Sequence, residues 1–111
     1  PRSIMARRSG FDTGELADAA MHVLLALVSP RHGYAVTQFL EERSGGAITL
    51  GPASLYTTLK KLSAAGFIEE LDGEDSRRTY QLTASGREVL ARNIERRRSL
   101  LAMADRIMEE T

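Results

Sequence analysis

The residues best suited to chemistry lie in the run Ser54-Leu55-Tyr56-Thr57-Thr58-Leu59-Lys60-Lys61. Leu55, Leu59 and Leu62 repeat at four and three residues, so at about 100° per residue they share one side of a helix. The opposite side then carries Ala53, Thr57, Lys60 and Ala64, with Ser54 and Lys61 along one edge and Tyr56 along the other. That surface offers hydroxyls, a phenol and two amines, and no acid. Small residues let a helix approach a groove floor. Amines neutralise phosphate or reach guanine, and hydroxyls hydrogen-bond phosphates or base edges. An ordinary solvated helix face has the same residue types, so the run alone leaves both readings open.

A second basic pair, Arg77-Arg78, follows the turn-forming cluster Asp72-Gly73-Glu74-Asp75-Ser76. These arginines either grip backbone phosphate or the minor groove, or pair with Asp72, Glu74 or Asp75 in their own hairpin. Other chemistry lacks its residues. There is no cysteine, which excludes disulfides and thiolate metal sites. His22 and His32 are the only histidines, and their spacing does not make a zinc site. No G-x-S-x-G, Walker loop or G-x-G-x-x-G occurs. Ser44-Gly45-Gly46 reads as a helix stop, not a phosphate cradle. The sequence therefore predicts no catalytic residue, no metal ligand and no cofactor.

Lysine plus arginine and aspartate plus glutamate number 15 each, so the net charge is zero. A nucleic-acid binder needs a locally basic face, not a basic total. The distribution is uneven: no acid occurs between Glu42 and Glu69, a window holding Arg43, Lys60 and Lys61. The longest apolar stretch, Ala17 to Val28, is interrupted by Asp18 and His22 and is too short to span a bilayer. The expectation is a cytoplasmic protein with no membrane segment.

Several helical and strand-like stretches must position the basic run. Residues 1–12 hold Arg2, Arg7 and Arg8 without periodicity and read as an N-terminal arm. Thr13 suits the cap of a first helix, with Glu15 at its positive end. That helix is apolar nearly all round, and a chain of 111 residues suggests that its second side faces another subunit. Ser29-Pro30 ends it. A second helix runs from about Gly33 to Ser44, with Tyr34, Val36, Thr37 and Leu40 inward. Ala47 to Leu50 leans towards strand, and Gly51-Pro52 opens the third helix. Phe67 to Leu71 and Thr79 to Leu82 are strand candidates, and Thr83 caps a final helix running to about Glu110. The predicted fold is mainly α with a small β-wing: a winged helix-turn-helix over 13–82 and a long helix over 83–111.

From Leu24 to Leu90 the chain resembles the PadR family of winged-helix transcriptional regulators. The resemblance is carried by "LLALVSPRHGYAVTQFLEERSGG", "GPASLYTTLKKLSAAGFIEE" and "RRTYQLTASGREVL". It implies a homodimeric repressor that binds double-stranded DNA at a pseudo-palindromic operator, and a hydrophobic or phenolic small molecule that induces release. Ser54, Tyr56, Thr57, Lys60, Lys61, Arg77 and Arg78 are then the DNA-binding candidates. Many relatives have proline where this chain has Thr57, and a Gly-Arg-Pro wing tip where it has Gly73-Glu74-Asp75. The competing expectation is a helical protein-interaction module on a winged-helix scaffold without DNA binding. A small all-α dimeric enzyme stands third and has no convergent acid–base pair to support it.

The last helix carries Leu90, Ile94, Arg97, Leu101, Ala104 and Met108 at four-three-four-three-four spacing. Pairing with a second copy would cover such a stripe, so these six are the dimerisation candidates. Arg97 interrupts the stripe and is expected to meet Glu95 or Asp105 of the partner subunit. An effector is expected between the first and last helices, walled by Met21, Leu25, Leu101 and Met108.

Overall fold

A computed structural model gives the fold and describes residues 14–71 and 78–110. Thr13, the 1–12 arm and the turn at 72–77 lie outside the described residues. Helix α1 (Asp18–Ala26) begins after Ala17, which makes no side-chain cap, and Asp18 places its carboxylate in the first turn. Val23, Leu24, Ala26 and Leu27 are completely buried. This helix packs against all three others, which accounts for its nearly continuous apolar surface. The surplus assigned to a second subunit is thus mostly used within the chain. Leu25 and Val28 are the large apolar residues of this stretch left exposed.

The loop after α1 is held by Arg31, whose Nε donates to the Ala26 carbonyl at 2.8 Å. Its guanidinium lies 3.6 Å from the centre of the Phe39 ring. Strand β1 (Arg31–His32) leads directly into α2 (Gly33–Arg43). Val36 and Leu40 point inward as expected, but Tyr34 is exposed. The inward place is taken by Gly33, where a Cβ would lie 3.3 Å from Tyr80 and 3.4 Å from Leu59. Residues 47–50 form no strand. The Ile48 amide donates to Ser44 Oγ at 2.8 Å instead, and Ile48 and Leu50 pack against the core.

Helix α3 (Pro52–Ala64) opens with proline at its first turn and buries Leu55, Leu59 and Leu62. Gly66 ends it at φ +82°, a left-handed conformation that glycine adopts without a side-chain penalty. The Phe67 amide then reaches back to the Leu62 carbonyl, and the Gly66 amide to that of Ser63, both at 3.0 Å. This closes the helix in a Schellman motif.

Strands β2 (Ile68–Leu71) and β3 (Thr79–Leu82) form the predicted hairpin. With β1 they make an antiparallel sheet in the order β1-β3-β2, with Arg31 opposite Tyr80 and Ile68 opposite Leu82. Helix α4 (Ala84–Glu109) follows after Thr83, whose Oγ1 accepts the Gly86 amide at 3.0 Å and donates to the Gly66 carbonyl at 2.6 Å. Gly86 is buried where a Cβ would fall onto the Phe67 carbonyl. The segment from Leu82 to Gly86 is therefore the joint between the hairpin and α4. Among the described residues, no helix is long and apolar enough to cross a membrane.

The first half of α4 completes the core through Val89 and Leu90. Asn93 and Arg97 then fasten the segment before α1. Asn93 Oδ1 accepts the Leu16 amide, and its Nδ2 donates to the Gly14 and Val89 carbonyls. Arg97 donates to the Leu16 carbonyl at 2.8 Å and meets Asp18 at 3.3 Å. The expected partner for Arg97 on a second subunit is replaced by these bonds inside one chain.

Candidate nucleic-acid interface

The outer face of α3 is built by the burial of its inner one. Because Leu55, Leu59 and Leu62 point into the core, Ala53, Ser54, Tyr56, Thr57, Lys60, Lys61 and Ala64 are all exposed. Lys60 and Lys61 pair with no carboxylate among the described residues. Ala53, Ser54, Thr57 and Thr58 line a shallow depression together with Ala19 of α1. The cap residue Gly51 supplies no side-chain acceptor, so the first-turn amides of α3 point past it. Small side chains and backbone donors at the N-terminal half, with amines beyond them, form a surface that can enter a groove and meet phosphates on its walls.

The wing lies against the other side of this helix. The Gly33 amide donates to the Arg78 carbonyl at 3.0 Å, and Thr79 Oγ1 lies 3.0 Å from His32 Nδ1, so the start of α2 is tied to the start of β3. The His32 ring stacks on Tyr34 at 5.6 Å between centroids. Arg78 is exposed and its Nε lies 3.3 Å from Glu70 of β2. Gln81 meets Glu69 on the other face of the hairpin at 2.9 Å. Arg77, with the acidic residues at 72–75, lies outside the described residues.

Six of the seven predicted DNA-contact residues are therefore described, and all six are exposed. Five lie on α3 and Arg78 lies at the adjoining edge of the hairpin. Tyr34, expected inward, is exposed. The carboxylate facing Arg78 is Glu70, which the sequence pattern did not single out. The alternation of Ile68 and Glu70 could have revealed it, since residues two apart share a strand face.

The six residues of the α4 stripe divide into two groups. Leu90 is buried in its own chain, Ile94 packs against the same core, and Arg97 is engaged with Leu16 and Asp18. Beyond them Ala104 is half-buried, while Leu101 and Met108 are 63% and 72% exposed. Leu100, Met103 and Ile107 widen this outer patch. The effector cavity expected between α1 and α4 loses one wall, because Met21 is buried in the core. The recess beside α4 is lined instead by Glu15, Leu16, Asn93, Arg96, Arg97 and Leu100.

The family model described as the transcriptional regulator PadR-like family matches residues 21–92. An uncharacterized 37.1 kDa protein in transposon TN4556 of Streptomyces fradiae is 39% identical over 93 residues, covering 83% of this chain. The match spans 26% of that protein, about a quarter of its length. A transcriptional regulator from Clostridium thermocellum superposes with a TM-score of 0.70 at 16% identity, covering 80% of this chain and 90% of that one. That likeness is one of fold. Bacillus subtilis PadR, solved in complex with operator DNA, superposes with a TM-score of 0.58 at 28% identity, covering 67% of this chain and 45% of that one.

Proposed function

The chain belongs to the PadR-like family of transcriptional regulators, and from that premise we propose that it is a homodimeric, sequence-specific DNA-binding repressor. Helix α3 enters the major groove once per subunit. The observation that carries this reading is the outer face of α3, which presents Ser54, Thr57, Lys60 and Lys61 without an acid beside a wing bearing Arg78. The operator-bound Bacillus subtilis PadR supports it. Two-fold symmetry then calls for a pseudo-palindromic operator, with half-sites one or two helical turns of about 10 bp apart. The exposed second half of α4 supplies the seam between subunits. Release follows binding of a hydrophobic or phenolic small molecule at that seam, where Met103 and Met108 give adaptable apolar walls.

The test is titration of operator DNA, selected from fragments of the source genome, at several salt concentrations. Lys60→Ala/Lys61→Ala should weaken binding to every sequence. It should also make the salt slope shallower by roughly 1 for each phosphate that is no longer neutralised. Equal affinity and equal slope for variant and wild type would show that this face does not touch DNA. Absence of any salt-dependent duplex binding would favour a protein-interaction module on the same scaffold.

A further inference from the structure

Strand alternation brings one carboxylate to the side of the wing that faces α3. Ile68 and Glu70 share a face of β2, and Glu70 stands opposite Tyr80 of β3. Arg78 and Tyr80 are also two residues apart, so Arg78 and Glu70 are diagonal neighbours on that same face, joined at 3.3 Å. Tyr56, Lys60 and Ser63 of α3 form the opposite wall of an open recess of about 370 Å³, with Glu70, Arg78 and Tyr80 on the wing side. Among the described residues, Glu70 is the only acid lining that recess, and Lys60 and Arg78 are its two cations.

We infer that Glu70 is a built-in competitor for DNA phosphate: it holds Arg78 in the free protein and is exchanged for a backbone phosphate when a duplex docks. The inference rests on the proposal that α3 and the wing bind DNA. Arg78 is 69% exposed and Glu70 45%, so the pair is accessible to solvent and to a strand passing over the recess. A guanidinium leaving a carboxylate for a phosphate keeps its charge-assisted hydrogen bonds. The carboxylate is left close to the incoming phosphate, and like charges at that range repel. Glu70 therefore lowers affinity for every duplex alike, because neither the exchange nor the repulsion reads a base. Operator and unrelated DNA are both bound less tightly than the cations on the surface would allow.

The experiment compares wild type, Glu70→Gln, Arg78→Ala and the double variant, each titrated with sheared calf-thymus DNA and with the selected operator at several salt concentrations. Glutamine keeps the shape and removes the charge. Glu70→Gln should tighten binding to both DNAs by a similar factor, about 2- to 25-fold for a dimer that uses the exposed pair twice. Arg78→Ala should weaken both and flatten the salt slope by roughly 1 per subunit. In the Arg78→Ala background, Glu70→Gln should gain less, keeping only the part that comes from repulsion between carboxylate and phosphate. Wild type that binds DNA while Glu70→Gln binds no tighter would overturn the role of Glu70 and leave the DNA-binding reading intact. An undiminished gain in the Arg78→Ala background would also overturn the exchange. Wild type that binds neither DNA would remove both readings together.

Discussion

Asn93 accepts the backbone amide of Leu16 at 2.9 Å across 77 positions of sequence, and it is the buried polar side chain among the described residues. One side-chain amide on α4 thus satisfies the chain entering α1. Asn93→Ala should strand the buried Leu16 amide without an acceptor and lower stability by about 2 kcal/mol. Urea unfolding followed by circular dichroism measures this. A variant as stable as wild type would mean that water replaces the side chain.

Gly86→Ala should be more damaging than its size suggests. The added methyl would meet the Phe67 carbonyl, which itself accepts the Thr83 amide, so the clash falls on backbone held from two sides. A loss of roughly 2–4 kcal/mol is expected. Ala91→Gly, on an exposed part of the same helix, should cost about 1 kcal/mol. Thermal melting of the two variants in parallel gives the ranking, and a milder effect at position 86 would contradict the role of Gly86 in joining hairpin to helix.

Leu101→Glu should produce monomers. The residue is 63% exposed in the single chain, so a charge there should leave the subunit folded and act only on the proposed pairing of two copies through α4. Light scattering at micromolar concentration reads the outcome. A dimeric variant would place the seam elsewhere.

Ser54 and Thr57 lie on the N-terminal half of α3, ahead of the two lysines. Thr57→Ala should alter preference among operator variants while leaving the salt slope close to that of wild type. A bidentate base contact is worth about 1–3 kcal/mol of discrimination, and a single hydroxyl should fall at or below the lower end of that range. Competition binding with single-position operator variants tests this. An unchanged preference with a shallower slope would reassign Thr57 to phosphate.

The elements most legible in the sequence are those with a sustained period. Three leucines set the register of α3, and hence its outer face, because nothing else along that helix competes for the core. Thr79 to Leu82 has the same bounds in sequence and structure. By contrast, β1 has only Arg31 and His32, too short for any alternation to show. Aromatic character argues for an inward Tyr34, yet Gly33 occupies that place because three side chains crowd it. Asn93 and Arg97 are illegible for a different reason. A polar residue within an apolar stripe looks like an interruption until the distant backbone that it serves is known, and that backbone lies in the segment before α1.

Thr83 is the single residue between the last strand of the wing, which ends at Leu82, and α4, which begins at Ala84. With its amide bonded to Phe67 and its hydroxyl to Gly66, that residue leaves no slack in the connection. Mechanically, α4 is a lever welded to the hairpin. Its 26 residues span about 39 Å at the usual helical rise. In a pair clamped at the far ends, a tilt of about 5° would carry the wing by roughly 3.4 Å, the spacing of one base step along a strand. If the chain pairs and reads DNA as proposed, a change at the seam too small to disturb packing would put the two α3 faces out of phase with the double helix.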